Sequence, residues 1–326
     1  MSKIEVTLAC GLYDRTLALH DGSVAAHGMS INFLPMRPSS LFRRQARNAE
    51  FDIAEFSFST YCMLKSRGDT RMIAIPVFPS RKFRHSHIFV KEESMREPAD
   101  LVGKRVGMHE YQNTASTWIR GILKEDYGVA PEDVTWVLAG LNEPKVEGDR
   151  IPMEFAPGMK VTRAESGRYL NEMLESGEIS AIISAEAPET LGADGSGVRR
   201  LFPDYEEVEK SYFQRTGIFP IMHTVVLKAE VYERHPWAAR NVMEAFEQAK
   251  QVGSSHLRYS AALFCSLPWL GKHIEEADEL TNGGDLFPYG LEPNRMVLEK
   301  FLSYSLDQGL LKRPLSVEEL FAPETI

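Results

Sequence analysis

One pattern restricts the fold of this chain more than any other. Strand-like and helix-like segments alternate through the first ninety residues, pause, and then alternate again. Residues 3–10 read as a strand, and Asp14 opens a short helix that ends at Asp21-Gly22. Residues 30–34 form a strand, and Ser39 or Ser40 caps a basic helix that reaches Asn48. Residues 51–56 are a strand, 57–67 a helix stopped by Gly68, and 71–78 a strand. Such alternation with short connections predicts a parallel sheet covered by helices. After the basic loop 79–83, a strand over 84–90 and a polar link over 91–100, the pattern restarts. A strand is expected at 104–108, then a helix over 113–127 with Trp118, Ile119, Ile122 and Leu123 on its apolar face. A strand follows at 134–138, then an irregular stretch rich in proline and glycine over 140–167. A helix at 169–176, a buried strand at 179–184 and a strand at 217–228 complete this half. Pro236 stands at the start of a long helix to 252, and another helix spans 293–308. Ser316 and Glu319 make a capping-box pair for a last short helix. The reading is two α/β lobes, residues 1–88 with 218–326 and residues 89–217, crossed by strands near 84–90 and 220–228 and separated by a cleft.

Composition narrows the function. The chain has 326 residues, with 37 Lys and Arg against 46 Asp and Glu, a formal net charge of -9. An acidic surface of this kind does not suit general nucleic-acid binding, so any bound anion must be drawn by a local basic pocket. No stretch approaches the roughly 18 apolar residues of a membrane span, and the first residues lack the apolar core of a secretory signal. Cys10, Cys62 and Cys265 are far apart and odd in number, which fits reduced thiols in a cytoplasm.

In open α/β sheets, ligands sit beyond the carboxyl ends of the strands, at helix N-termini. That rule singles out several turns. Residues 81–87 place Arg81, Lys82, Arg84, His85 and His87 together, an anomaly in an acidic chain. Arginines hold carboxylates bidentately, and a histidine moves a proton near neutral pH. On a strand, His85 and His87 share a face with Phe89, which also allows a metal pair, although no further ligand stands nearby. Glu110, Tyr111, Asn113 and Thr114 precede the 113–127 helix, whose free N–H groups can cradle a carboxylate; capping alone explains the same residues. Arg15 opposes the dipole of its own helix start, so anion binding or a salt bridge must account for it. Glu55 and Ser57 form a third strand-to-helix turn, and His223 lies in an apolar strand. No GxSxG, GxGxxG or P-loop pattern is present, which argues against serine-hydrolase, dinucleotide and ATP chemistry.

These residues carry a resemblance. Phe83-Arg84-His85-Ser86, Pro98-Ala99-Asp100-Leu101, Gly103-Lys104-Arg105-Val106-Gly107, Glu110-Tyr111-Gln112 and Thr114-Ala115 resemble the 4,5-dihydroxyphthalate decarboxylase family. The likeness continues through Trp118-Ile119-Arg120-Gly121, residues 217–223, His235-Pro236-Trp237 and Pro288-Tyr289-Gly290-Leu291, and is weakest over 140–168. It implies an α/β, two-lobed type II periplasmic-binding-protein-like fold with a central cleft. It also implies non-oxidative loss of one carboxylate from 4,5-dihydroxyphthalate, giving protocatechuate and CO2 with no cofactor. On that reading Arg15, Arg81, Arg84 and the Asn113–Thr114 helix end hold the carboxylates, with Ser57 and Tyr111 beside them. His85 is the first choice to protonate carbon, and Glu55, Glu110 or His223 polarises the phenol. His87 lies outside the motif, so a metal at His85 and His87 is the lesser alternative. The partner is then a small aromatic carboxylate, with no nucleic acid and no membrane; the exact substrate and a homo-oligomeric state stay open. The alternative function is a solute-binding protein that captures a small acid without turning it over.

Overall fold

The structure, a computed structural model, describes residues 3–91, 95–145 and 149–326. Positions 92–94 of the expected polar link and 146–148 of the irregular stretch lie outside the described residues. The strands in chain order are β1 (Ile4–Cys10), β2 (Met29–Pro35), β3 (Ile53–Ser57), β4 (Met72–Arg81), β5 (Ile88–Val90), β6 (Arg105–Met108), β7 (Thr135–Leu138), β8 (Lys160–Arg163), β9 (Ala181–Ile183), β10 (Arg199–Arg200) and β11 (Ile221–Lys228). The helices are α1 (Asp14–His20), α2 (Pro38–Asn48), α3 (Phe58–Ser66), α4 (Thr114–Tyr127), α5 (Leu170–Glu175), α6 (Tyr205–Thr216), α7 (Ala229–Arg234), α8 (Trp237–Leu257), α9 (Leu270–Thr281) and α10 (Arg295–Asp307). The chain divides into two compact units. The first holds Met1–Arg81, Ile221–Glu299 and Leu315–Ile326; the second holds Lys82–Pro220 and Lys300–Pro314.

The first unit is built on a five-stranded sheet in the order β2-β1-β3-β11-β4. β1 runs parallel to β2 in unbroken register from Ile4 opposite Met29 to Cys10 opposite Pro35. β11 comes from late in the chain and enters antiparallel between β3 and β4. Its pairing with β4 shifts twice, between Ile221 and His223 and between His223 and Val225. Such bulges bend a strand and re-aim its side chains. Leu8, Ile53, Ile75, Val77, Val225 and Leu227 of the sheet bury against Ala18 and Leu19 of α1 and the alanines of α8. Small residues let α8 come close: a Cβ on Gly253 would stand 2.4 Å from the Asp14 carbonyl oxygen. That contact fixes the start of α1.

The second unit has a six-stranded sheet in the order β10-β5-β9-β6-β7-β8. β6 is parallel to β7 and β9, while β5 is antiparallel to β9 and β10. Phe89, Val137, Leu170, Met173 and Ile182 pack one face. α4 buries ten of its fourteen residues, Arg120 among them, and ends at Gly128 with φ 70°.

Four expectations are corrected. The strand expected over 84–90 is a 3-10 turn, His85–His87, followed by a short strand, Ile88–Val90. The backbone there is engaged elsewhere: Ser86 N–H donates to Glu209 at 2.8 Å, His87 N–H to the Arg84 carbonyl at 3.1 Å, and Arg200 to the Ser86 carbonyl. His85 and His87 therefore do not share a strand face with Phe89. The loop expected at 79–83 is in part strand, because β4 pairs with β11 as far as Arg81 opposite Ile221. α2 starts at Pro38 and its cap is Arg37, two residues before Ser39, the first of the two serines expected to cap it. The irregular stretch contains β8, paired in parallel with β7.

Candidate active site

Antiparallel pairing of β3 with β11 sets Glu55 opposite Val225 and Ser57 opposite His223. Glu55 and His223 are thus diagonal neighbours on one face of the sheet, within reach of long side chains. The Glu55 carboxylate is fully buried, so it must be satisfied from inside the protein. Its Oε1 accepts from Tyr13 Oη at 2.9 Å and from His223 Nδ1 at 2.6 Å. Its Oε2 accepts from the Gly11 N–H at 2.8 Å and from Cys10 Sγ at 3.5 Å. An ionised carboxylate offers about four lone-pair sites and no proton. All four are taken. Burial by itself raises the Glu55 pKa, but His223, the Gly11 N–H and the Tyr13 O–H outweigh it and hold the group below its ordinary range.

This saturation assigns the histidine tautomer from the hydrogen-bond network. Burial and the Glu55 charge keep Tyr13 and Cys10 protonated, pushing both well above their ordinary ranges. Glu55 has only acceptors, so His223 Nδ1 must carry the proton. The ring rests edge-on against Phe42, with centroids 4.7 Å apart, and its side chain is 16% exposed. Among the described residues nothing hydrogen-bonds the other nitrogen, Nε2. The pair is arranged to exchange a proton at that one atom, with Glu55 supporting the imidazolium that forms.

The other candidates in the first unit are placed as follows. Arg15 Nε donates to the Pro79 carbonyl at 2.5 Å and Nη1 to Asp14 at 2.8 Å; its guanidinium lies 4.4 Å over the Tyr13 ring and 4.6 Å over Phe287. Among the described residues its Nη2 makes no hydrogen bond. Arg81 is buried and bonds Asn294 Oδ1 and, at 3.0 Å, the Pro288 carbonyl; burial lowers its pKa to about 9. Ser57 Oγ caps α3, accepting the Thr60 N–H at 3.5 Å.

In the second unit, Arg84 is buried with Nη1 at 3.4 Å from the Ala185 carbonyl. Burial lowers its pKa to about 9, against the opposing charge of Glu209. His85 sits among the rings of Tyr212, Phe202 and Tyr127, with centroids 5.1, 5.5 and 6.2 Å away. Neither of its ring nitrogens finds a hydrogen-bond partner among the described residues. Burial lowers its pKa to about 4, so it is neutral at pH 7. His87 is lowered further, by burial and then by Arg84, Lys82 and Arg200. Among the described residues no group of three His, Cys, Asp or Glu side chains is placed to hold a metal ion.

The turn before α4 is held by a helix cap and by ion pairs. Asn113 Oδ1 caps the helix through the Ala115 N–H at 2.9 Å, and Thr114 is the first helical residue. Glu110 is buried between Lys145 at 3.4 Å and Arg150 at 3.2 Å. Tyr111 is buried under the Arg120 guanidinium, 3.8 Å over its ring. The fourteen residues of α4 place its capped end about 20 Å from Tyr127, the residue that packs on His85. The fold thus brings Glu55 and His223 together and keeps His85 apart from Asn113 and Thr114. The sequence marks the turn 11–16 as a candidate and gives a role in it to Arg15 alone, not to Tyr13 and Gly11, two and four residues before it. The available signal was their place at the carboxyl end of β1.

Comparison with solved structures defines the class. The chain is similar to the periplasmic aliphatic sulphonate binding protein of Escherichia coli, with a TM-score of 0.55, 13% identity and 99% of each chain covered. It is also similar to a Candida albicans gene product described as having the generic periplasmic binding protein fold, with a TM-score of 0.51, 14% identity, and 97% of this chain and 93% of that one covered. The fold is that of the periplasmic binding proteins. Sequence relatives are more specific. The chain is 36% identical to a Comamonas testosteroni 4,5-dihydroxyphthalate decarboxylase over 327 aligned residues, covering 100% of this chain and 98% of that protein. It is 36% identical to a Pseudomonas putida protein of the same name over 215 residues, 66% of this chain and 83% of that one. No protein-family model matches. The chain belongs to the 4,5-dihydroxyphthalate decarboxylase family.

Proposed function

We propose that this chain is a carboxy-lyase that converts 4,5-dihydroxyphthalate, or a close hydroxylated aromatic diacid, to protocatechuate and CO2. Family membership supports the reaction class. The observation that carries the residue assignment is the saturated Glu55, which leaves His223 Nε2 as the exchangeable position.

In the substrate each carboxylate is para to a hydroxyl. His223 Nε2 takes the hydroxyl proton, and the electron pair left on oxygen moves through the ring to the carbon bearing the para carboxylate. That carbon accepts a second proton, which comes from solvent. Its bond to the carboxylate then breaks, the bonding pair restores the aromatic ring, and CO2 leaves. The oxygen recovers its proton from Nε2–H. The net change is one carboxylate and one proton giving CO2 and a ring C–H. The hydroxylated ring is its own electron sink, so the chemistry needs no organic cofactor. Because its lone pairs are filled, Glu55 acts through His223 and not on the substrate. Arg15 Nη2 is the donor assigned to a substrate carboxylate. We place the reaction in the cytoplasm, supported by three unbridged cysteines, one of them exposed.

The test is CO2 release from a panel of hydroxylated phthalates by the purified chain in D2O. Deuterium at the vacated ring carbon is the expected result. Tight binding of a diacid with no CO2 released would favour the solute-binding alternative.

A further inference from the structure

Gly11 and Tyr13 stand outside the proton-exchange pair, yet their geometry is unusual. A Cβ on Gly11 would fall 2.5 Å from Tyr13 Cζ and 2.6 Å from its Oη, closer than any real contact. Only glycine lets the Tyr13 ring lie against this stretch of backbone. On the ring, the Arg15 guanidinium sits at 4.4 Å, itself held by the Pro79 carbonyl and Asp14. The Tyr13 N–H donates to Thr16 Oγ1 at 2.9 Å, which fixes the turn into α1. A ring constrained in this way aims its hydroxyl at Glu55 Oε1, the oxygen that also receives His223 Nδ1–H.

We propose that Tyr13 is a positioning residue for the decarboxylation, seated by Gly11 and Arg15 so that its O–H shares one Glu55 oxygen with His223 and sets the strength of the Glu55–His223 hydrogen bond. The proposal rests on the reading of Glu55 and His223 as the proton-exchange pair. The physical effect has two parts. A second donor on Oε1 draws charge from it, which weakens and lengthens the bond to the imidazole, because hydrogen bonds sharing an acceptor compete. The same donor stops the carboxylate from rotating, so the His223 ring keeps one orientation. Without the Tyr13 hydroxyl, Oε1 serves His223 alone and Glu55 is held less firmly.

The experiment compares Tyr13→Phe, Gly11→Ala and the double variant in the full chain. Tyr13→Phe keeps the ring and its packing. Its kcat is expected to fall about tenfold, the size of one hydrogen bond to a charged group, with KM for the diacid unchanged. The downfield proton resonance of the His223 Nδ1–H is expected to move further downfield, which simple loss of packing does not cause. Gly11→Ala displaces the ring and should lower kcat at least as much. In the Tyr13→Phe background, adding Gly11→Ala should cost kcat little more, since the hydroxyl it displaces is already gone. An unmoved resonance with unchanged kcat in Tyr13→Phe overturns the proposal. So does full additivity of the two substitutions. Should Gly11→Ala fail to fold, the Tyr13→Phe resonance and kcat decide the matter alone. Failure of the underlying reading looks different: His223→Asn would keep its turnover, while the Tyr13→Phe resonance would still report whether Tyr13 governs the Glu55–His223 bond.

Discussion

Two histidines, one in each unit, are buried in opposite ways. His223 has a carboxylate at 2.6 Å, and that carboxylate is itself filled by three further donors. His85 has aromatic rings on its sides and no hydrogen-bond partner among the described residues. The first has the buried Glu55 carboxylate directly against its Nδ1. The second is held neutral by desolvation, which drives its pKa down to about 4. In the sequence their prominence is reversed. His85 stands among arginines in a conspicuous basic run, and His223 is a lone histidine in a mostly apolar strand. Linear proximity to charge is a poor guide to the electrostatics of a buried group. The partner that matters for His223 is 168 residues away.

The contrast can be broken most directly at His223. His223→Asn keeps a polar side chain but cannot exchange a proton, and kcat should fall about a thousandfold. Steady-state CO2 release measures it; a loss below tenfold would remove His223 from the chemistry.

Glu55→Gln comes next. It puts an amide NH2 among four donors and removes the charge beneath the imidazole. We expect kcat to fall about a hundredfold and the fold to lose about 3 kcal/mol, as for other broken buried charge pairs. Urea denaturation at pH 7 alongside kinetics checks both. The sign with pH follows from the lowered Glu55 pKa. As pH falls past the ordinary carboxylate range, the unfolded chain takes up the proton before the folded one, so Glu55's contribution is present above that range and lost below it.

His85 sharpens the other side of the comparison. Its folded pKa of about 4 lies below the ordinary value near 6.5. The unfolded chain therefore protonates first as pH drops. Stability should fall between pH 6.5 and pH 4 by about 3 kcal/mol from this residue and level off below. His85→Phe fills the same aromatic cage without a titrating group, so its unfolding free energy should depend less steeply on pH over that window. Equal slopes in wild type and variant would show that the ring is solvated. The smallest effect is expected at Glu209, which accepts the Ser86 N–H at 2.8 Å. Glu209→Gln keeps an acceptor there, and the loss should stay under about 1 kcal/mol in the same denaturation assay.

Much of the architecture was legible because it is local. The hydrophobic period of each segment, Gly68 and Gly128 as stops and the Asn113 cap are properties of a few neighbouring residues. Ser316 and Glu319 do bond reciprocally, at 3.1 and 3.4 Å. The 84–90 segment was misread for the opposite reason. Its residues suit a strand, but Glu209 and Arg200, more than a hundred residues later, take its backbone groups and close a turn. The site divides the same way. Glu55 and His223 were visible as candidates, but not as a pair.

By itself the sequence determined the α/β class, the restart of the pattern after residue 90, the acidic charge and the family. It did so because periodicity, caps and motifs are written in adjacent residues. Only the tertiary structure decided which polar residues act together. The insertion of β11 between β3 and β4 put His223 diagonal to Glu55, and the Gly11 turn laid Tyr13 over the same carboxylate. Strand pairing is a contact between distant segments. The saturation of a buried charge can be counted only after those segments have met.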